Sequence, residues 1–179
     1  NTGLIVKLLD VGEQPVSNRF VKDTSLTEYT HSMSIGQCNA CALLQIINPV
    51  PANELVTPYD WITYNEPEGH LDEVSNIITN LPSINKDSSF MGISFKEDTT
   101  LQRLINKGFK NIHRLDQEKD LEITRYNTGL ESIQEKVNVE TFRKLALKYG
   151  TADVIIVRHI LEHAADPRHF MEALQQMVK

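Results

Sequence analysis

Residues 153–167, DVIIVRHILEHAADP, decide the fold expected for the larger part of this chain. Residues 154–157 form an uninterrupted apolar run with the length of a buried strand. Charged and imidazole side chains follow directly, and Asp166 and Pro167 then have the residue types of a helix N-cap and first helical position. A buried strand with a polar end and a following helix is typical of a parallel sheet that binds ligands at its strand ends.

The same alternation of strand and helix extends back to about residue 69. Apolar residues recur at helical spacing in residues 69–82, 98–109, 138–150 and 166–179. Gly108 and Gly150 are expected to end two of these helices, and Asn138 to cap the third. Strand-like runs occupy residues 88–94, 110–116, 129–134 and 153–157. Strands separated by helices of this length predict right-handed crossovers and a parallel α/β sheet.

The first third of the chain has a different pattern of apolar and turn-forming residues. Short apolar runs at residues 4–12, 32–36 and 42–48 are separated by segments rich in proline, asparagine and serine. Such a pattern predicts a small β-rich module. We therefore expect two domains, a β-rich one at residues 1–58 and an α/β one at residues 59–179.

Cys38 and Cys41 form a C-x-x-C pair in the β-rich module. This spacing lets two sulfurs approach one metal ion at about 2.3 Å, which supplies half of a tetrahedral zinc site. His31 is the nearby histidine, but it lies seven residues upstream, outside the common ligand spacings. A redox dithiol and two buried, reduced thiols are the alternative interpretations.

The charge and the lengths of the apolar segments argue against two classes of binding partner, nucleic acids and membranes. The net charge is −6, and no basic run exceeds two residues, which argues against nucleic-acid binding. No apolar segment approaches the roughly 20 residues needed to span a bilayer, and the start of the chain lacks a signal-peptide pattern. We therefore expect a cytoplasmic protein with no membrane partner and a small-molecule substrate. The oligomeric state is not readable from the sequence.

Three polar clusters follow predicted strands, at residues 94–100, 116–120 and 158–163. Because the carboxyl ends of parallel strands meet at one edge of the sheet, these clusters should converge on a shared crevice. Asp116 is placed to accept hydrogen bonds from the two hydroxyls of a ribose. The alternative is that Asp116 simply begins a turn or caps the next helix.

Three stretches carry a family resemblance: LLDVGEQPVSNRF at residues 8–20, QCNACALLQIINPVPANELVTPYDWITYNEP at 37–67, and ADVIIVRHILEHAADPRHFMEAL at 152–174. Together they resemble the amino-terminal half of the S-adenosylmethionine-dependent C-methyltransferases that act on nucleotide-linked sugars. That family has a small zinc-binding domain, a class I methyltransferase domain and a carboxyl-terminal domain. The resemblance implies a partial Rossmann-like class I sheet at residues 59–179.

The resemblance also implies a ligand set and a cofactor site. The family's structural zinc takes four cysteines in two pairs, so Cys38 and Cys41 would be one pair and the other would lie upstream of residue 1. Asp116 would meet the ribose of S-adenosylmethionine. Residues 59–69 would lie over cofactor and substrate.

Three further residues are expected to contact the cofactor. Gly92 and Ser94 lie at the end of the first predicted strand of the parallel sheet, and Arg158 follows its last predicted strand. The glycine-rich loop of the family is reduced here to GISFKEDTT, in which only Gly92 remains. The side chains of Ser94, Lys96 and Glu97 are therefore expected to obstruct the approach of the cofactor.

Candidate catalytic residues are His163, Glu162 and Tyr64. His163 matches a family histidine that borders the active site, and it would assist a proton transfer or hold a substrate hydroxyl. Glu162 would orient His163 or cap a helix, and Tyr64 would stabilise charge on oxygen. His159 is expected to face a neighbouring helix. The acid and base that the family uses belong to a later segment than this chain contains.

Two other functions remain open. The chain is consistent with a binding or scaffold module that kept the fold and lost the glycine-rich loop. An acidic residue after a second strand also suits NAD, but a pyrophosphate needs closer backbone contact than this loop offers.

Overall fold

A computed structural model describes residues 4–17, 19–55, 67–124 and 133–179. The chain divides into two compact units, Asn1–Tyr59 and Asp60–Lys179. In the described parts, no helix is both long enough and apolar enough to cross a membrane.

The first unit is built on a small antiparallel sheet. Its strands are β1 (Ile5–Pro15), β2 (Thr30–Cys38) and β3 (Leu44–Ile46), in the order β1-β2-β3, followed by the short helix α1 (Ala52–Leu55). Ile5 lies opposite Cys38 at one end of the β1–β2 pair, and Pro15 lies opposite Thr30 at the other. The β-rich character predicted for this part of the chain is thus confirmed, and its strands form an antiparallel sheet.

The second unit contains a three-stranded sheet in which every neighbouring pair is parallel. Its elements are α2 (His70–Thr79), β4 (Ser89–Gly92), α3 (Asp98–Asn106), β5 (Asn111–Arg114), α4 (Val139–Tyr149), β6 (Val154–Ile156) and α5 (Pro167–Gln175). The strand order is β5-β4-β6. The chain therefore moves outward from β4 to β5 and then returns past β4 to β6, so the strand order reverses between β4 and β6.

Successive residues of β4 point to opposite faces of this sheet. Phe90 belongs to an apolar cluster with residues of α3, whereas Met91 belongs to a second cluster with residues of α4 and α5. This alternation is the two-residue period of a strand buried on both faces. The mixed α/β architecture expected from the sequence is confirmed, with helices on both sides of the sheet.

The local signals at helix ends are also confirmed. Asn138 Oδ1 accepts a hydrogen bond from the Thr141 N–H at 2.9 Å, and Asp166 Oδ1 accepts one from the His169 N–H at 3.0 Å. Gly108 and Gly150 follow α3 and α4 with positive φ angles of 88° and 80°, a conformation that glycine adopts without steric strain. These four residues fix where three helices begin or end.

The strand predicted at residues 129–134 is wrong in its described part. Residues 129–132 lie outside the described residues, Ile133 is helical, and Gln134–Lys136 is a 3-10 turn. Ile133 and Val137 are both buried in the cluster under α4 and α5. The turn is therefore flanked by two apolar side chains that are both buried.

Candidate functional site

Gly92 ends β4 and lies directly against Glu97. A Cβ atom at Gly92 would be 2.9 Å from the Glu97 Cβ and 2.9 Å from the Leu101 Cδ1, closer than real Cβ contacts. The missing side chain of Gly92 therefore makes room for this chain's own Glu97. The sequence predicted that Gly92 would instead allow a close approach of a cofactor.

Ser94 is used by the turn that follows β4. Its hydroxyl accepts a hydrogen bond from the Lys96 N–H at 3.2 Å, and its own N–H donates to the Glu97 carboxylate. This reciprocal pair is a capping box at the start of the 3-10 turn Phe95–Glu97. Ser94 is fully buried. Its side chain therefore has no exposed surface with which to contact a cofactor, contrary to the prediction.

Glu97 joins the segments that follow β4 and β6. Its carboxylate accepts the Ser94 N–H through Oε2 and the Arg158 N–H through Oε1, the latter at 2.7 Å. Glu97 is completely buried, and this burial raises the pKa of its carboxyl group against the opposing effect of the two N–H donors. The side chain lies between β4 and β6, where the strand order reverses.

Arg158 also connects the segment after β6 to the turn after β4. Its guanidinium donates to the Lys96 carbonyl oxygen at 2.7 Å and lies 3.3 Å from a carboxylate oxygen of Glu68. Glu68 also accepts from the Thr99 hydroxyl at 2.9 Å, and this bond together with Arg158 holds the pKa of Glu68 below its usual range. The Arg158 side chain thus ties the turn after β4 to the segment before α2.

Asp116 follows β5 and makes the contacts expected of an aspartate that begins a turn, which was one of its two interpretations. Its Oδ1 accepts hydrogen bonds from the N–H groups of Lys119 and Glu118, at 2.9 and 3.0 Å, as an aspartate that begins a turn would. Both bonds lower the pKa of Asp116, and the bond from the Lys119 N–H has the larger effect. The hydrogen bonds described for this carboxylate all involve Oδ1, so Oδ2 retains acceptor capacity for a ligand.

A cavity of about 300 Å³ lies beside Asp116 at the carboxyl end of β5. Its other lining residues are Phe95, Arg114, Gln117, Glu118, Ile123 and Thr124. This volume is at the lower end of the range for small-molecule sites and suits a ligand of about the size of a nucleoside. Phe95 is half-exposed, which makes its ring available for stacking.

The charges around this cavity favour a neutral or cationic ligand. Arg114 is paired with Asp98 through a 2.7 Å contact between Nε and Oδ1. The carboxylates of Asp116 and Glu118 also line the cavity. The cavity is thus lined by two carboxylates and by one guanidinium that is already paired, a charge balance that opposes a pyrophosphate and disfavours the NAD interpretation.

The residues predicted for cofactor binding therefore separate into two places. Asp116 lines the cavity, whereas Gly92, Ser94 and Arg158 surround the buried Glu97. The residues present fit the nucleoside part of S-adenosylmethionine beside Asp116. They do not fit a group lying over Gly92, because Glu97 already fills that position.

The turn after β6 carries the predicted catalytic residues. Glu162 and His163 lie on the 3-10 turn Leu161–His163, and Tyr64 lies outside the described residues. The hydrogen bond described for the Glu162 side chain joins Oε1 to Nδ1 of His159 at 3.1 Å, rather than to His163. His159 has a φ of 57°, an uncommon conformation for a residue with a side chain. The three-residue spacing of His159 and Glu162 is visible in the sequence, but their pairing was not predicted.

Glu97 was predicted only to obstruct the cofactor, and its role in joining two segments was not predicted. The signal was the spacing Ser94-x-x-Glu97, which is that of a capping box. The interaction with Arg158 spans 61 residues and has no local signal.

The two cysteines lie where β2 ends and the connection to β3 begins. Cys38 ends β2 and is buried, whereas Cys41 is exposed. The Cys38 sulfur accepts hydrogen bonds that lower its pKa. The N–H of Ala40 has the largest effect, the N–H of Cys41 the next largest, and the Cys41 thiol a smaller one. Donors that stabilise a thiolate fit a metal-ligand role, and the neighbouring sulfurs fit one half of a tetrahedral site.

The structure disfavours both alternatives for these thiols. Cys41 is exposed, so the alternative of two buried thiols is wrong for this residue. Cys38 ends one strand and Cys41 precedes the next, and neither starts a helix, which disfavours a thioredoxin-like redox site.

His31 is too distant to complete the metal site. It lies seven residues before Cys38 on the same strand, which corresponds to about 23 Å at roughly 3.3 Å per residue. Its Nε2 is 3.1 Å from the carbonyl oxygen of Asn48. In the described ranges, no three His, Cys, Asp or Glu side chains come together as a metal-ligand group.

Comparison with known proteins bears on the first unit. Residues 1–55 match the family model Methyltransf_13, whose description is "Putative zinc binding domain". The match covers less than half of the 179 residues and associates this part of the chain with methyltransferases and with zinc. No curated protein matches the chain.

Proposed function

We propose that this chain is part of an S-adenosylmethionine-dependent C-methyltransferase that acts on a small carbonyl-bearing substrate, in particular a nucleotide-linked sugar. The second unit would be a partial Rossmann-like class I domain. The observation that carries the proposal is the nucleoside-sized cavity beside Asp116 at the carboxyl end of a parallel strand. The methyltransferase-associated match of the first unit supports it.

The proposed reaction would form a bond between the methyl group of the sulfonium and a carbon next to a carbonyl, after that carbon has lost a proton to a base. The bond from sulfur to the methyl carbon would break, and its electron pair would stay on sulfur, which leaves as a thioether. The cofactor would supply an electrophilic methyl group. The protein would align the substrate and move one proton. His163 would assist the proton transfer or hold a substrate hydroxyl, and Tyr64 would stabilise charge on the carbonyl oxygen.

A second function is favoured by a specific observation. Glu97 fills the crevice between β4 and β6, which is the usual ligand position in a sheet of this topology. A binding or scaffold module that kept the fold without catalysis would show the same filled crevice. Binding of an adenosyl ligand and transfer of its methyl group separate the two candidates.

Replacing Asp116 by asparagine should weaken the binding of 5′-methylthioadenosine, an adenosine with a small uncharged 5′ group, by at least tenfold. Asparagine keeps an oxygen that can accept the N–H groups of Glu118 and Lys119, so the turn should persist. It replaces the second acceptor oxygen by an amide donor, which cannot accept from a ribose hydroxyl. A lost hydrogen bond to a charged group is worth about 1.5–3 kcal/mol. Isothermal titration calorimetry on the full-length protein measures the effect.

Glu118→Gln is the matched control for Asp116→Asn. It removes a charge from the same cavity but lies on its exposed rim, so affinity should change less than threefold. Absence of adenosyl binding by the wild-type protein would remove the enzyme proposal. Equal losses in the two variants would show that charge around the cavity, and not Asp116, holds the ligand.

Zinc is proposed as a structural ion of the first unit, held by Cys38, Cys41 and two thiolates upstream of residue 1. Replacing Cys38 by serine in the full-length protein should abolish the one zinc per chain found by metal analysis. A chelator should then destabilise the wild type and leave Cys38→Ser unchanged, since the variant has no metal to lose. Equal zinc content in wild type and variant would contradict this ligand assignment.

A further inference from the structure

The proposed adenosyl ligand carries an amino-acid tail, and the space over Gly92 is not open to that tail. Glu97 occupies this space, and both Glu97 and Ser94 are completely buried. A tail attached to a ribose beside Asp116 must therefore be bound by other side chains on the wall of the cavity. Arg114 supplies the positive charge on that wall.

We propose that the Arg114 guanidinium binds the carboxylate of the amino-acid tail, so that the whole adenosyl compound lies in the cavity beside Asp116 and at its mouth. This inference rests on the proposed adenosyl site. It adds to that site a residue that selects adenosyl compounds with a carboxylate in the tail.

Arg114 and Asp116 lie on the same side of one extended segment. Arg114 ends β5, and the N–H of Leu115 continues the pairing with β4 by donating to the Gly92 carbonyl oxygen at 2.9 Å. Side chains of an extended segment alternate, so the Cα atoms of Arg114 and Asp116 are about 7 Å apart at roughly 3.3 Å per residue. Both residues line the cavity. A ribose held by Asp116 would thus have its 5′ substituent within reach of a long arginine side chain.

The Arg114 guanidinium has N–H groups that its protein contacts do not use. Its Nε lies 2.7 Å from Asp98 Oδ1, and its Nη1 donates to the Leu115 carbonyl oxygen at 3.1 Å. A guanidinium has five N–H groups, so these contacts leave one on Nη1 and both on Nη2 within the described parts of the chain. These two nitrogens can bind a carboxylate through two parallel hydrogen bonds. The side chain is 35% exposed, which gives a ligand access to it.

The charges of the cavity wall match those of the ligand in number and with opposite sign. The wall carries the carboxylates of Asp116 and Glu118 and the guanidinium of Arg114. S-adenosylmethionine carries a sulfonium, an ammonium and one carboxylate. Binding of that carboxylate by Arg114 would leave two positive charges to balance the two carboxylates of the wall. A pyrophosphate has no positive charge that could do so.

The test compares three ligands by isothermal titration calorimetry on the full-length protein. They are S-adenosylhomocysteine, its decarboxylated analogue, which keeps the ammonium, and 5′-methylthioadenosine, which has neither group. Wild type should bind S-adenosylhomocysteine at least tenfold more tightly than the decarboxylated analogue, because the analogue cannot form the charge-assisted pair. Arg114→Met should lose at least tenfold in affinity for S-adenosylhomocysteine and bind it no better than the analogue. Its affinity for methylthioadenosine should change less than threefold.

Two further variants separate the proposed contact from other effects of the substitution. Arg114→Lys keeps a positive charge beside Asp98, but lysine is a point charge without the planar fork. Its affinity for S-adenosylhomocysteine should fall at least threefold. Arg103→Met is the matched control, because Arg103 is also paired with an aspartate at 2.7 Å, that of Asp72, and does not line this cavity. This variant should keep the wild-type preference for the carboxylate.

A wild-type measurement decides the matter if neither Arg114 variant folds. The side-chain Nε resonance of Arg114 should shift with S-adenosylhomocysteine and stay in place with the decarboxylated analogue. Equal affinity of wild type for these two ligands, equal shifts with both, or a preference that a folded Arg114 variant retains in full would overturn the role of Arg114. Binding of methylthioadenosine would then leave the adenosyl site standing. Failure of all three ligands to bind wild type would overturn the proposed function together with this inference.

Discussion

Replacing Asp120 by alanine should lower the free energy of unfolding of the second unit by about 2–4 kcal/mol. The Asp120 side chain is only 1% exposed and accepts three hydrogen bonds. The donors are the Asp116 N–H at 2.8 Å, Lys148 Nζ at 2.8 Å and the Tyr149 hydroxyl at 2.7 Å. Burial opposes the charge, but these donors together lower the pKa of Asp120, so the folded state holds it ionised. Alanine would leave the donors without their common acceptor.

The matched control removes the same ion pair from its exposed side. Lys148 is 52% exposed, and Lys148→Met should cost less than about 1 kcal/mol because only a solvent-screened contact is lost. Chemical denaturation measures both variants. Similar losses of unfolding free energy in the two variants would mean that the ion pair, and not the hydrogen bonds of the buried carboxylate, provides the stabilisation.

Asp120 also links stability to the proposed ligand site. It holds the backbone N–H of Asp116, the residue whose side chain lines the cavity. Asp120→Ala should therefore weaken methylthioadenosine binding as well as folding, whereas Lys148→Met should leave binding unchanged. Undiminished binding by a folded Asp120→Ala protein would show that Asp116 keeps its position without this support.

Features of the second unit that depend on neighbouring residues could be predicted from the sequence. The caps Asn138 and Asp166 bond to N–H groups three residues away, so their residue types and spacing carry the whole signal. The parallel sheet follows from the alternation of strands with helices, because such connections leave few other arrangements. Asp116 could likewise be placed at a strand end, and its turn contacts lie within three residues.

Features that depend on distant residues could not be predicted. Glu97 appeared only as an obstruction to the cofactor, because nothing near it in the sequence indicates its bond to the Arg158 N–H. The local angles of the turn after β6 decide that Glu162 reaches His159 rather than His163. Residue spacing permitted either histidine, and the positive φ of His159 could not be foreseen from its residue type. The chemistry at this site is thus set by contacts that only the folded chain brings together.

Replacing Phe142 by alanine should have the largest effect on stability, a loss of about 3–5 kcal/mol. Phe142 lies on α4, is 0% exposed, and belongs to the apolar cluster that also contains Leu115, Ile160 and Phe170. The benzyl group leaves a cavity that neighbours on several elements cannot fill together, so the transfer and cavity costs add. Thermal or chemical denaturation of the full-length protein measures the loss.

Leu147→Ala on the same helix separates packing from helix propensity. Leu147 is 86% exposed, so its truncation should change the free energy of unfolding by no more than about 0.5 kcal/mol. The core position has consequences for the site, because Leu115 immediately precedes Asp116 and Ile160 precedes the turn that carries Glu162 and His163. A loss of several kcal/mol is a large part of the stability of a domain this size, so Phe142→Ala should also populate molecules without an intact ligand site. A loss below about 1 kcal/mol at Phe142, similar to that at Leu147, would mean that this cluster does not hold the strand ends in place.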